Sequence, residues 1–358
     1  ISTYPNLLAN ITADGNITKE KISGMLIMDV DSLDLYGLQL TDSSFATSFQ
    51  LYSEIETDLK KNHLIDLTLG NWDLIFDRQR IRPKTLTLHA KGSEDTTYVS
   101  FHAGDFGIYL KGNADVQSLA EKLNIVSNDV KKQLEEDSTV NLQTVRPLLP
   151  EIDLQIAAQK DNPIYNFLQT QSIFFDKFEL NASTSPVNGI NADGYLYAFI
   201  KDTLKIDSVR FNVEQDSNKL NYAVNVAKNK FRNQQPFKAG VRGSLQYGQG
   251  DLEATYLDGK GKTGLHLGAR IKKQTEGWNI QLFPEDPVSA FLPFKVNPDN
   301  YVLYKSKEDI SANLRLDGEE YASIWLHSAE QDGKMQELSA ELSQIDLKKL
   351  SDGFPTLL

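Results

Sequence analysis

The sequence predicts a mainly β protein: a long antiparallel meander curved into an elongated groove or an open barrel, with a few short helices inserted around residues 113–170. Apolar and polar residues alternate through successive runs, as in residues 178–182 and 220–226. Side chains of a strand point alternately to opposite faces, so such runs give a one-sided sheet. Turn-forming residues between the runs are typical of short hairpin connections.

Residues 1–112 are predicted to form the first antiparallel region, with strands near residues 7–12, 24–40, 44–55, 64–69, 85–90, 98–102 and 107–110. Glycine next to Asp or Asn accepts the positive φ of tight turns. On this basis turns are expected at five pairs, which are Asp14-Gly15, Gly70-Asn71, Asn188-Gly189, Asp193-Gly194 and Asp258-Gly259, and at three triplets, which are Lys91-Gly92-Ser93, Asp216-Ser217-Asn218 and Gln249-Gly250-Asp251.

The periodicity changes after residue 113, which predicts a helical insertion over residues 113–171. Apolar residues take the i, i+3, i+4, i+7 spacing of an amphipathic helix; they are Val116, Leu119, Ala120, Leu123, Val126, Val130 and Leu134. Asn113 is the predicted N-cap. Shorter helices are predicted at 142–145 and 163–169, the latter capped by Asn162 with proline at its first position. We expect these helices to plug one end or one face of the sheet.

Residues 172–283 form the central meander of eight predicted strands, and residues 284–358 form a C-terminal β region. Four prolines between residues 284 and 298 predict a loop-rich boundary or bent crossover. Helical turns are predicted at 344–350. The chain begins without Met and ends on an apolar sequence, so we expect a segment of a longer protein that runs into a further β repeat.

The composition excludes several classes of function. The formal charge of −12 provides no basic face for nucleic acid. The absence of cysteine excludes disulfides, thiolate nucleophiles and zinc–thiolate sites. No apolar run approaches the roughly 18 residues of a membrane span.

No motif predicts catalysis. The five histidines stand alone, without a second ligand or a nucleophile at a useful spacing. Asp105-Phe106-Gly107 matches a kinase motif in three letters only, and residues 258–264 suit a hairpin better than a phosphate loop. We therefore predict a protein that is not an enzyme and that has neither cofactor nor metal.

The apolar face of the strands is the remaining candidate. It is the dry core of a sandwich or barrel, or it lines a groove for apolar ligands, and alternation alone does not distinguish the two.

Three segments carry a resemblance to a known family. Residues 148–156 with 160–168, and the C-terminal stretch 338–355 in which a strand leads into a leucine-and-proline turn, resemble TamB-like proteins of the AsmA-like superfamily. The long helix after residue 113 fits the same pattern. The resemblance implies an internal segment of an inner-membrane-anchored, periplasmic protein of the Gram-negative envelope, associated with phospholipid movement and outer-membrane assembly.

The resemblance further implies a trough with an apolar interior, whose partners are phospholipid acyl chains and an outer-membrane assembly-barrel protein. Alternation assigns twelve residues to the trough face: Phe178, Leu180, Val209, Phe211, Val213, Leu220, Tyr222, Val224, Val226, Leu245, Leu265 and Leu267. A one-residue error in register would move the residues of any strand to the other face.

Two other functions compete with lipid binding. The chain is alternatively a scaffold whose open sheet edge pairs with partner strands. It is otherwise a carbohydrate-binding or adhesin-type sandwich, which is suggested by Trp72, Trp278 and Trp325.

Overall fold

The computed structural model describes residues 6–76, 79–230, 235–331 and 334–344. Within these ranges there are 23 strands, three α-helices and two short 3-10 turns. Every pairing between strands is antiparallel and nearly all join strands close in sequence. The predicted fold class, a mainly β antiparallel meander with a few short helices, is confirmed.

The chain divides into two compact units, residues 1–129 with 146–204, and residues 130–145 with 205–358. The first boundary falls within the long helix. The four regions predicted from sequence periodicity stay a prediction about domains.

The first unit is a sheet of twelve strands. They are β1 (Leu7–Ile17), β2 (Ile22–Asp34), β3 (Phe45–Thr57), β4 (His63–Phe76), β5 (Gln79–Ile81), β6 (Leu86–Gly92), β7 (Thr97–Ala103), β8 (Phe106–Gly112), β9 (Ile152–Ala158), β10 (Ile173–Phe174), β11 (Lys177–Ser185) and β12 (Gly189–Lys201). β9 pairs with β8 on one side and β11 on the other, so the intervening helices leave the order of the meander intact.

The second unit continues the same architecture. Its strands are β13 (Leu204–Asp216), β14 (Lys219–Lys228), β15 (Phe237–Gln246), β16 (Gln249–Asp258), β17 (Thr263–Lys273), β18 (Trp278–Ser289), β19 (Leu292–Val296), β20 (Tyr301–Ser306), β21 (Asp309–Gly318), β22 (Ser323–Gln331) and β23 (Lys334–Ser343). β18 pairs with β17 along most of its length, and then with both β19 and β20.

In the first unit, the pairing of the strands places an apolar row of side chains on one face of the sheet and a polar row on the other. Residues paired opposite each other share a face. One row crosses eight strands and is apolar except for one serine: Leu26, Ser53, Leu67, Leu88, Phe101, Ile108, Ile156 and Leu180. The adjacent row on the other face is polar throughout: Asp66, His89, Ser100, Tyr109, Gln155, Asn181 and Asp193.

The three helices are α1 (Val116–Asp137), α2 (Leu142–Val145) and α3 (Pro163–Thr170). The predicted cap of α1 at Asn113 is wrong. The Asp115 carboxylate accepts from the backbone N–H of Ser118 at 2.9 Å, and the helix begins after it. Among the residues described, no helix is long and apolar enough to cross a membrane.

α3 follows the prediction and covers one end of the apolar face of the first unit. Its Tyr165 is buried against Ala158 and Phe175, and the Tyr165 and Phe175 rings meet edge to face at 5.1 Å. Such T-shaped pairs are the favoured geometry for buried aromatic rings. α3 therefore covers this end as predicted, whereas α1 buries only Leu119 and leaves Leu123 and Leu134 about half exposed.

Four predicted turns are wrong. Asp14-Gly15 lies within β1, Gly70-Asn71 within β4, and Asp193-Gly194 within β12, while Gln249-Gly250-Asp251 begins β16. Gly15 pairs directly with Gly24 and Gly194 with Leu180, so ladder pairing overrides the local turn preference. Asn71, at φ 48°, lies beside a register shift between Ser48 and Gln50 and forms a bulge rather than a chain reversal.

The proline-rich stretch is also strand rather than loop. β18 runs through Pro284 and Pro287 to Ser289, and the pairing with β17 shifts there between His266 and Gly268. Proline cannot donate to a ladder, and a bulge accommodates it without loss of the strand. Of the helical turns predicted at 344–350, residues 345–350 lie outside the part of the chain that the structure describes.

The side chain of Asn162 links the start of α3 to Asp105 and to Gln159, so its loss is expected to lower the stability of the first unit. Its side-chain oxygen accepts from the Tyr165 N–H at 2.7 Å, and its amide donates to Asp105 Oδ1 at 2.7 Å and to the Gln159 carbonyl at 3.0 Å. We expect Asn162→Ala to lower the free energy of unfolding by about 2–4 kcal/mol, since a cap and two buried hydrogen bonds are lost. Chemical denaturation measures this.

Asn128→Ala on the exposed side of α1 is the control, because Ala is the better helix former there and no cap is removed. Equal stability of Asn162→Ala and the native chain would contradict the role given to Asn162.

Candidate functional site

The candidate site is the apolar face of β13–β17 in the second unit. Ten of the twelve predicted trough residues lie on these strands. Val209 pairs with Val226, Phe211 with Val224, Val213 with Tyr222, and Leu220 with Leu245. Leu265 and Leu267 join the same face through Tyr256 and Ala254. The register therefore brings all ten residues to one face.

The remaining two candidates lie in the first unit, on the apolar face of β11. Phe178 packs against the buried cluster beneath α3 and is partly covered by it. Leu180 ends the apolar row that crosses this unit and is half-buried.

Side chains that the sequence assignment missed complete the face of β13–β17. Val241 lies between Val224 and Ala254, and Leu252 pairs with Ala269. Ile271 pairs with Gly250 and Ile280. The alternation of each strand carried the signal for these residues, but only the pairing between strands shows that they adjoin the others.

Five aliphatic side chains of this face are exposed, and its other apolar side chains are half-buried. The exposed fractions are 38% for Val224, 38% for Val241, 50% for Leu245, 45% for Leu252 and 40% for Ile271. On the described residues of β13–β17, no apolar side chain is fully buried. A sandwich core buries both inner faces. Contiguous exposed apolar surface of this kind marks an interaction or ligand-binding surface.

Tyr222 shows how the face is kept free of unsatisfied polar groups. Its hydroxyl donates to the Asp251 carbonyl at 3.0 Å, and burial raises its pKa above the ordinary value. The side chain reaches β16 by crossing Gly243, where a Cβ atom would lie 2.6 Å from the hydroxyl oxygen. The ring is thus held along the sheet surface with its polar end satisfied.

One end of the face carries aromatic rings and lysines. The Tyr256 ring centroid lies 5.7 Å from that of Phe237 and 6.2 Å from that of Phe291. Lys228 Nζ lies 5.8 Å from the Phe237 centroid, and Lys262 Nζ lies 5.3 Å from the Phe291 centroid. Lys228 is only 5% exposed, and burial lowers its pKa.

The opposite face of the same strands is polar and internally paired. Arg242 forms two hydrogen bonds to Glu253 at 2.8 and 3.1 Å, and His266 Nε2 lies 2.8 Å from the same carboxylate. The Arg242 guanidinium, together with His266, holds the pKa of Glu253 below its ordinary value. These contacts hold the charged side chains together on the face opposite to the aliphatic residues.

The remaining motifs have structural roles. Asp105 accepts from the Asp161 N–H at 2.8 Å as well as from Asn162, and residues 258–263 form the predicted hairpin turn. Each of the five histidines has a local polar partner, for example Asp66 for His89 at 2.6 Å. Among the residues described, no three His, Asp or Glu side chains group so that they could hold a metal ion.

The tryptophans do not form one platform within the second unit. Trp278 pairs with Tyr304 and through it with Ile310, on the apolar face. Trp325 pairs with Arg315 on the other face and stacks on His327 at 3.9 Å. In the first unit, the Trp72 indole N–H donates to the Lys84 carbonyl at 2.9 Å.

Buried Lys228 generates a prediction about pH. The folded chain releases this proton at a lower pH than the unfolded chain, whose lysines titrate near about 10.4. Between the two pKa values the unfolded state binds more protons, so the free energy of unfolding rises with pH in that window. We expect Lys228→Met to flatten this rise, measured by denaturation between pH 7 and pH 10.

Lys272→Met removes the same charge from an exposed position on β17 and is the control. The burial account of Lys228 would be contradicted if both variants changed the pH profile equally.

Comparison with protein-family models, curated proteins and solved structures finds no match to this chain. The resemblance to TamB-like proteins therefore stays a prediction, and the function is argued from the apolar face itself.

Proposed function

We propose that the protein is a non-enzymatic lipid-binding protein whose apolar sheet face contacts acyl chains. The observation that carries the proposal is the combination of register and exposure on β13–β17: apolar side chains are gathered on one face, and five aliphatic ones among them are left 38–50% exposed. Full burial of an exposed aliphatic side chain is worth roughly 1.5–3 kcal/mol, so side chains that are still 38–50% exposed forgo about 0.6–1.5 kcal/mol each. A hydrocarbon ligand recovers that free energy.

The chemistry of the face suits transfer better than tight retention. Its contacts are aliphatic and similar from strand to strand, and each Å² of apolar surface removed from water stabilises the complex by about 25 cal/mol. A chain sliding along such a surface exchanges one set of contacts for an equivalent set. The face therefore favours movement of lipid over storage in one deep pocket.

The biological setting belongs to the same proposal and rests on the resemblance to TamB-like proteins. In that setting the cargo is phospholipid, and the protein acts in the periplasm as part of an inner-membrane-anchored envelope protein. There it carries lipid toward the outer membrane or assists outer-membrane assembly with a barrel partner.

Strand pairing with a partner is the second candidate function, and β1 favours it. β1 pairs along one side with β2, and its residues are exposed almost throughout. Ile11 is 62% exposed and Ile17 is 78% exposed. β1 contains no lysine or proline, the residues that commonly protect an edge from pairing.

Charge placed on the apolar face tests the lipid proposal. We expect Val224→Asp combined with Leu245→Asp to reduce co-purifying lipid at least about tenfold, because bound chains would desolvate both carboxylates. Both positions are exposed, so the substitution spares the packing of the strands. Organic extraction followed by lipid mass spectrometry gives the amount, and circular dichroism with thermal unfolding checks the fold.

The matched control is Asn225→Asp combined with Gln246→Asp, which adds the same charges one residue along each strand on the opposite face. Lipid loss in the control alone, or a native chain that never binds lipid when incubated with phospholipid vesicles, would count against the proposal. The pairing function of β1 would then lead.

A further inference from the structure

The two ends of the apolar face in the second unit differ in charge. At the end where β14 and β16 finish, the segments 205–208, 226–230, 235–239 and 257–263 carry six lysines and two aspartates, a formal charge of +4. The opposite end, formed by residues 214–221, 245–251 and 270–279, carries four cations and four anions. The positive end stands out in a chain whose formal charge is −12.

Both aspartates at the positive end are committed to backbone donors. Asp207 accepts from the Asn229 N–H, and Asp258 Oδ1 accepts from the N–H groups of Lys260 and Lys262 at 2.9 and 2.8 Å. Within the described part of the chain, neither Lys228 Nζ nor Lys262 Nζ has a carboxylate oxygen inside the 4.0 Å of a salt bridge. Lys262 is exposed and open to an anion, whereas Lys228 is buried beside Phe237 and feels the charge of Asp207 without a direct salt bridge.

Both lysines lie at the junction between aromatic and aqueous surface. Lys228 continues the apolar side of β14 and pairs with Phe237, and Phe291 lies over Gly264, where a Cβ atom would be 2.7 Å from the ring. Lysines commonly lay an aliphatic stem on apolar surface and present the ammonium at its border. Aromatic rings with a cation beside them are typical of the level at which a lipid headgroup meets its chains.

The dimensions agree with a lipid lying along the strands. From Val226 to Leu220, the aliphatic side of β14 extends about 20 Å at roughly 3.3 Å per residue. That length exceeds one leaflet of hydrocarbon core, roughly 15 Å. An amphiphile with its anionic head at Lys228 and Lys262 can therefore extend its chains toward Leu245 without leaving the face.

We propose that the lysine–aromatic end of this face binds the phosphate of a phospholipid and so fixes the direction in which the lipid lies. Each ammonium can donate a charge-assisted hydrogen bond to phosphate oxygens, so a lipid lying on the strands beside either lysine finds a headgroup contact at this end. This inference rests on the proposed function, since it assigns the headgroup end of the same face.

Competition between two lipids with identical chains tests the headgroup assignment. Lipid-free protein is incubated with vesicles holding equal amounts of dioleoylphosphatidylglycerol and dioleoylglycerol, re-isolated and extracted for mass spectrometry. We expect the native chain to retain the phospholipid by about tenfold over dioleoylglycerol. Lys228→Gln with Lys262→Gln is expected to bring the ratio near one while the total bound lipid is kept.

Lys219→Gln with Lys272→Gln removes two charges from the balanced end and should keep the native ratio. Equal retention of both lipids by the native chain, or an unchanged ratio in the Lys228 and Lys262 variant, overturns the headgroup assignment alone. A second incubation adds free oleate, an anion without phosphate, to the same vesicles. If the native chain then retains oleate in preference to the phospholipid, phosphate recognition is overturned. Absence of any bound lipid overturns the proposed function and this inference together.

Discussion

Direct pairing of residues across neighbouring strands decides which side chains share a face, and the rest of this structure depends on it. A slip of one residue in any strand would place its apolar set among charges. In the first unit the pairing keeps one row apolar from Leu26 to Leu180, with Ser53 the single exception. In the second unit it gathers Val224, Val241 and Ala254 side by side. The apolar surface is a property of the register rather than of any one strand.

Few apolar side chains of this sheet reach a buried core. Those that do lie mainly beneath α3, near the segment 142–149, and around Phe294 and Val296. Along β13–β17, order comes from ladder hydrogen bonds and cross-strand side-chain pairs, each worth a fraction of a kcal/mol. A ligand on that face thus has no packed second layer to displace, so binding does not compete with the stability of the strands beneath it.

Sequence periodicity was enough to predict the fold class, the helices near residues 116 and 163, and the side of each strand on which its apolar residues lie. Local turn chemistry failed at Gly15 and Gly194, because a long ladder on both flanks outweighs the preference of two residues. The exposure of Val224 and Leu245 was beyond prediction, since alternation is the same for a dry core and an open face. Sequence spacing also could not predict that Lys228 and Lys262, which are 34 residues apart, lie at the same end of the sheet.

The polar face determines which side remains free for a ligand. Arg242, Glu253 and His266 come from three successive strands and satisfy one another there, and Ser244 donates to Asp251 at 2.9 Å beside them. If one of these strands slipped by a residue, a member of this network would turn toward the aliphatic rows and lose its partners, and an aliphatic side chain would take its place among the charges. The network adds little stability where it is exposed. The network has a stronger effect on register, because a shifted pairing of the strands would break it. By disfavouring shifted registers it keeps the aliphatic face continuous across β14–β17.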